Sequence, residues 1–239
     1  MPPPRNLARR QALTDAAIEI LGTAGIHELS HRAVDRGAGV PAGTASNYFR
    51  SRDELLAAAA RRVLELHVQD MFEAEGAPAE GAQAQGGQAE GAQGRAPVDR
   101  ERLARMIGMS LHDAATRRRT RFLAVYELTL EATRRPPLAQ AMAQVGAASA
   151  EATLGYHRAL GLRTTPEQAT ALITLFGGAL MTLVTVPADA LTPHFAITLA
   201  RCIVAGVLTA LPAEADADVV TAGTDMDDDA DAAGAGTGQ

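Results

Sequence analysis

Apolar residues recur along this chain at helical rather than strand spacing, in two blocks of about 5–72 and 98–211. In the first block Leu7, Leu13, Ala17, Ile20 and Leu21 approximate one helical face, and Gly22 and Gly25 predict its end. Ser30 is a favoured cap for a short helix over about 31–38, which Gly39-Val40-Pro41 breaks. A second short helix is expected over 42–48. Ser51, with Glu54 three residues on, reads as a capping box opening a longer helix with Leu55, Leu56, Ala59, Val63 and Leu66 on its apolar side. The second block predicts five helices, over about 100–116, 119–134, 138–161, 166–186 and 193–211. Asp99, Thr165-Pro166 and Thr192-Pro193 mark three of the starts. No run alternates as a strand would. The fold class expected is all-α.

Two stretches lack the pattern. Residues 73–97 are Ala, Gly, Gln and Glu with AEGAQ twice and no large apolar side chain after Phe72, so burial cannot offset the ordering entropy. A flexible linker is expected there. Residues 212–239 carry eight acids and no base, which reads as a solvated acidic tail. The organisation expected is a reading head over 1–50, a connecting helix over 51–72, the linker over 73–97, a helical domain over 98–211 and the tail.

Composition sharpens this. The chain has 239 residues, and its 22 cations are all Arg, against 28 acids, for a net charge of −6. Such a balance argues against a nucleic-acid binder only if charge is spread evenly. It is not: removing the tail leaves 20 acids against 22 Arg. The single Cys202 excludes an internal disulfide framework, and the N-terminus lacks a signal peptide's apolar run, so a cytoplasmic location is expected. Residues 168–188 are uncharged and approach the length of a membrane span. Their Thr and Gly content and the lack of basic flanks favour a helix buried on several sides, and no membrane partner is expected.

Residues 29–56, LSHRAVDRGAGVPAGTASNYFRSRDELL, follow the helix-turn-helix plan, whose second helix enters a major groove. Ala42, Gly43, Thr44, Ala45 and Ser46 are small enough for close approach to base edges, Pro41 just ahead of them is a further DNA-contact candidate, and Asn47 can pair bidentately with adenine. Arg32, Arg36, Arg50 and Arg52 supply a phosphate grip, Tyr48 a phosphate hydrogen bond, and Phe49 a core plug.

This block resembles the tetracycline-repressor-like (TetR) family of bacterial transcription regulators. The resemblance runs over about residues 7–60, through Ala24-Gly25, Leu29-Ser30, Arg32, Ala38-Gly39-Val40, Gly43-Thr44, Tyr48-Phe49 and Ser51-Arg52-Asp53-Glu54-Leu55-Leu56. It implies that His31 and Thr44 touch phosphate, that Arg32 reaches a base, that Ala42, Gly43, Ser46 and Asn47 face base edges, and that Arg52 is a phosphate clamp. Ser46 stands where many members have Tyr. His31 stands where Thr is common, so its contact would weaken as pH rises through its titration.

The resemblance also implies that the second block holds a small-molecule pocket and that its last two helices pair with a second copy in a four-helix interface. The pattern supports the pairing independently. The helix at 166–186 is apolar on two faces and so needs two partners, Gly177-Gly178 permits close helix approach, and Phe195, Leu199, Cys202 and Gly206 share a face of the last helix. The interface expected comprises Leu172, Phe176, Ala179, Leu183, Phe195, Leu199, Cys202 and Gly206. Met106, Met109, Phe122, Tyr126, Met142 and Phe176 are pocket candidates, although ordinary core packing explains each as well. Arg117-Arg118-Arg119-Thr120-Arg121 reads as a solvated corner ahead of an anionic-ligand gate, and Arg134-Arg135 as charges complementing a helix C-terminus. His27, Glu28 and His31 are poorly placed for a metal, and no nucleophile elbow or phosphate loop appears. The expectation is a ligand-released repressor of double-stranded operator DNA, dimeric, with no catalytic residues, metal or cofactor. The alternative is a ligand-independent or activating regulator of the same fold.

Overall fold

The computed structural model describes residues 6–73 and 98–211. Among these lie nine α-helices and no strand: α1 (Leu7–Ala24), α2 (His31–Gly37), α3 (Thr44–Tyr48), α4 (Arg52–Glu73), α5 (Arg100–Ala115), α6 (Arg119–Ala132), α7 (Pro136–Ala159), α8 (Pro166–Leu183) and α9 (Pro193–Ala210). Single helical turns cover Ile26–Glu28 and Ala188–Ala190. The acidic tail and residues 74–97 of the expected linker lie outside the described residues.

The starts follow the capping signals. Asn6, Ser30, Asp99, Thr165 and Thr192 each accept an amide from the first turn that follows. Thr165 and Gln168 form a full capping box. At α4 the box is altered: Ser51 Oγ accepts from Glu54 N at 3.1 Å, but the Glu54 carboxylate reaches back to Arg50 N at 2.7 Å.

Two expected boundaries are corrected. Helix α1 runs through Gly22, because that glycine serves contact rather than a turn. A Cβ there would lie 2.0 Å from the Thr120 carbonyl oxygen, so α1 and α6 meet backbone to backbone. Helix α3 starts at Thr44, not at 42, because Gly43 is left-handed (φ 88°) and forms its N-cap. Pro41 and Ala42 belong to the turn.

Two apolar cores result. The first joins Leu13, Leu21, Leu29, Val34, Phe49, Leu55 and Leu56 to Leu128 of α6 and Leu138 of α7. The reading head is therefore packed on the second block. Phe49 is fully buried, a contribution of about 1.5–3 kcal/mol, and the Arg10 guanidinium sits 5.2 Å from its ring centre. The second core joins Leu103 and Leu111 of α5, Leu172 and Leu180 of α8, and Ala196, Ala200 and Val204 of α9.

Candidate functional site

The geometry of α3 is set from α2. Asp35, buried on α2, accepts the Gly43 amide through Oδ2 at 2.7 Å and the Ala45 amide through Oδ1 at 2.6 Å. Gly43 has no side chain to cap α3, so the neighbouring helix supplies the cap. The sequence reading missed Asp35. An acid eight residues before the Gly43-Thr44 step is a signal, but only a packed α2–α3 pair gives it meaning.

The expected reading residues separate into committed and open groups. Arg32, Pro41, Ala42, Gly43, Ser46, Asn47 and Arg50 are exposed. The Thr44 hydroxyl donates to the Pro41 carbonyl at 2.5 Å and the Ser46 hydroxyl to the Gly43 carbonyl at 2.9 Å, so both donors are used within their own turn. The Asn47 side chain makes no hydrogen bond within the described residues; the residue's backbone amide closes the first turn on the Gly43 carbonyl. It is the one polar side chain of α3 that is both exposed and unengaged. His31 Nε2 lies 2.8 Å from the Phe49 carbonyl and donates to it, which leaves Nδ1 for any other partner. Tyr48 is half-buried against the first core.

Arg52 corrects an expectation. Its Nη2 donates to the Ile26 carbonyl and its Nε is buried without a partner. The guanidinium is an internal strut rather than an open phosphate clamp. The Ile26 amide in turn donates to Glu127 of α6 at 3.0 Å, so α4 and α6 hold the backbone of the same residue of the head, one at its carbonyl and one at its amide. Arg135 bridges Glu131 to Asp53 of α4 at 3.1 Å, more than the helix-end charge the sequence suggested. Arg135 also holds the Glu131 carboxyl below its ordinary range.

Behind the head, α4, α5, α6, α7 and α8 line a cavity of about 630 Å³. Met106, Met109, Phe122 and Phe176 line it, but two pocket candidates do not. Met142 packs on the first core, and the Tyr126 hydroxyl donates to the Gly177 carbonyl at 2.8 Å, with burial pushing its pKa up to about 12. The wall also carries polar groups the sequence reading did not place there, among them His67, Asp70, Asp113 and His157. Burial lowers the pKa of both histidines. The arginine run is not a plain solvated corner. Arg118 spans Asp70 of α4 (3.2 Å) and Asp113 of α5 (2.5 Å), Arg121 pairs with Asp70, and Arg117 with Asp113. Asp70 could not be singled out in sequence, because its partners lie about 50 residues away.

The interface candidates also divide. Leu172 and Leu183 are 5% and 3% exposed inside the chain's own core, and Phe176, Ala179 and Leu199 pack on it. The open stripe of α8 is instead Thr170, Thr174, Leu175, Gly178, Met181 and Thr182. On α9 it runs through Phe195, Thr198, Cys202, Ala205 and Gly206. By length and composition, α9, rather than the 168–188 segment, is the described helix apolar enough to cross a bilayer, and 28% of it is buried.

A helix-turn-helix whose recognition helix is capped from α2, mounted on a helical domain with its own cavity, defines a DNA-binding regulator of transcription. Family comparison agrees. Residues 13–59 match the model for bacterial regulatory proteins of the tetR family, and residues 98–210 match a tetracyclin repressor-like C-terminal domain. The structure of a TetR family member from Streptomyces coelicolor A3 (SCO1917) is 31% identical over 82% of this chain and 97% of that one, with a TM-score of 0.52. The multidrug binding protein EbrR complexed with ethidium is 27% identical over 82% of this chain and 98% of that one, with a TM-score of 0.54. Among curated proteins, none matches. The chain belongs to the tetR family of bacterial regulatory proteins.

Proposed function

We propose that the chain is a homodimeric cytoplasmic repressor that holds a near-palindromic operator with two reading heads and is released when a small molecule enters the cavity. One observation carries this reading: α4 touches both places. It begins at Arg52, which grips the head at Ile26, and about 27 Å further on Asp70 and Met71 line the cavity. Two heads must sit roughly 34–36 Å apart to enter successive major grooves. A ligand that shifts α4 changes that spacing. It releases DNA only if it binds the wider or narrower dimer better, since equal affinity for both shifts nothing.

The open stripes of α8 and α9 support the dimer. They lie on two helices packed against each other, their residues named above are uncharged, and they carry glycine, threonine and alanine where a second copy would approach. The likeness to EbrR, solved with ethidium, supports a cavity that admits a small molecule. A gel-shift against the DNA flanking the chain's own gene, followed by release with candidate metabolites, tests the reading. A sequence-specific shift that no ligand relieves would favour the ligand-independent or activating alternative, and the absence of any specific shift would end both.

A further inference from the structure

The geometry points to an amphipathic anion, an apolar body carrying a carboxylate or similar group, as the class of ligand this cavity takes. The assignment rests on the cavity being the effector site proposed above.

The charged wall decides the sign. Its side chains Asp70, Arg118, Asp113 and Arg117 form a chain of pairs, which Arg121 closes on Asp70 from outside the lining, and Arg105 is a further cation of the wall. Three cations face two carboxylates. Each carboxylate already takes two arginines, so a ligand cation finds no acid without a partner. The cationic end is open: Arg117 is 82% exposed and spends its Nε on Asp113, leaving its terminal nitrogens to solvent. Arg105, also on the wall, reaches Glu101 only at 3.8 Å, while that carboxylate accepts three hydrogen bonds from Arg201. An incoming anion would extend the alternation of charge, and guanidinium forks bind carboxylates bidentately. Much of the remaining lining is apolar and soft, with Met71, Met106, Phe122, Ile173 and Phe176, which suits a hydrocarbon or aromatic body. The cationic corner is also where coupling begins. An anion competing for Arg118 loosens Asp70, and Asp70 belongs to α4.

Matched ten-carbon probes test the assignment on the full chain: decanoate, decan-1-ol and decylammonium, by thermal shift and calorimetry near neutral pH. Decanoate is expected to bind about tenfold or more tighter than decan-1-ol, with decylammonium weakest. Arg118→Gln should erase the preference while leaving decan-1-ol binding unchanged. Arg117→Gln, at an exposed position, should reduce the preference and serves if the first variant does not fold. Decylammonium or decan-1-ol binding as tightly as decanoate would overturn the assignment, as would a decanoate preference indifferent to both substitutions. Operator release is scored separately. Decanoate that binds with the expected preference but leaves DNA bound contradicts the effector reading and keeps the anion site. No binding by any probe removes the cavity as a ligand site.

Discussion

Asp35 Oδ1 accepts the amide proton of Ala45 at 2.6 Å, from a neighbouring helix rather than from the chain just ahead. The recognition helix is thereby held by a buried carboxylate. Asp35→Ala leaves the Gly43 and Ala45 amides without that acceptor. Hydrogen bonds to a charged group contribute about 1.5–3 kcal/mol each, so the melting temperature and operator affinity should both drop, with Asp35→Asn between wild type and Ala. An unchanged melting temperature in Asp35→Ala would mean the turn holds itself.

Asn47 is the next test. The hydroxyls of Thr44 and Ser46 are spent on their own turn, so Asn47 carries the directional information on this face. Asn47→Ala is expected to cost about 1–3 kcal/mol on the best site and to relax one base position in a selection from random DNA. Ser46→Ala should change affinity by less than about 0.5 kcal/mol. Equal losses on specific and random DNA for Asn47→Ala would show a backbone contact instead.

Most of the fold was legible because helix caps are local. Ser, Asp and Thr ahead of an apolar period mark starts whatever packs above them. What failed was non-local. Gly22 looks like a terminator until Thr120 is brought against it, and Arg52 looks like a free cation until Ile26 offers its carbonyl. On α8, periodicity identified the apolar residues but not the direction they face. Leu172 and Leu183 turned into the chain's own core and left threonine and glycine outside. The cavity's methionines and phenylalanines were visible in sequence, whereas the ion pairs that tie Asp70 of α4 to Arg118 and Arg121 join residues about 50 positions apart.

Arg50 and Arg52 should separate in their salt dependence. Arg50 is exposed, and Arg50→Ala is expected to reduce the slope of log K against log salt by about 1, with the melting temperature unchanged. Arg52→Ala removes the strut to Ile26. It should lower the melting temperature and weaken DNA binding with little change in slope. A slope loss in Arg52→Ala without destabilisation would restore it as a phosphate contact.

His157 makes stability depend on pH. It is buried, with Nδ1 2.8 Å from Thr164 Oγ1, and burial lowers its pKa from the ordinary 6.5. The unfolded chain therefore takes up a proton at higher pH than the folded one. The stabilisation is complete above about pH 6.5 and is lost as pH falls from there toward the folded-state pKa. Melting temperatures measured from about pH 7.5 down to about pH 5.5 should decline, and His157→Gln should flatten the decline. An equally steep profile in that variant would assign the effect to other groups, such as His67.

Gly206 allows the dimer to be tested without confusing association with folding. It lies on the open stripe of α9, and a Cβ built on it meets nothing within 4 Å. In the isolated chain Gly206→Arg should be harmless or helpful, since replacing a helical glycine gains up to about 1 kcal/mol of propensity. In a dimer paired through α8 and α9 the same change places a cation within the paired face, away from water, where removing charge from solvent costs several kcal/mol. The two effects have opposite signs. Sedimentation should show a dimer become a monomer while the helical signal is retained. Affinity for the full palindrome should fall toward that of a half-site, because one head then binds without the other. A Gly206→Arg protein that remains dimeric and holds the palindrome as wild type does would move the interface off α9.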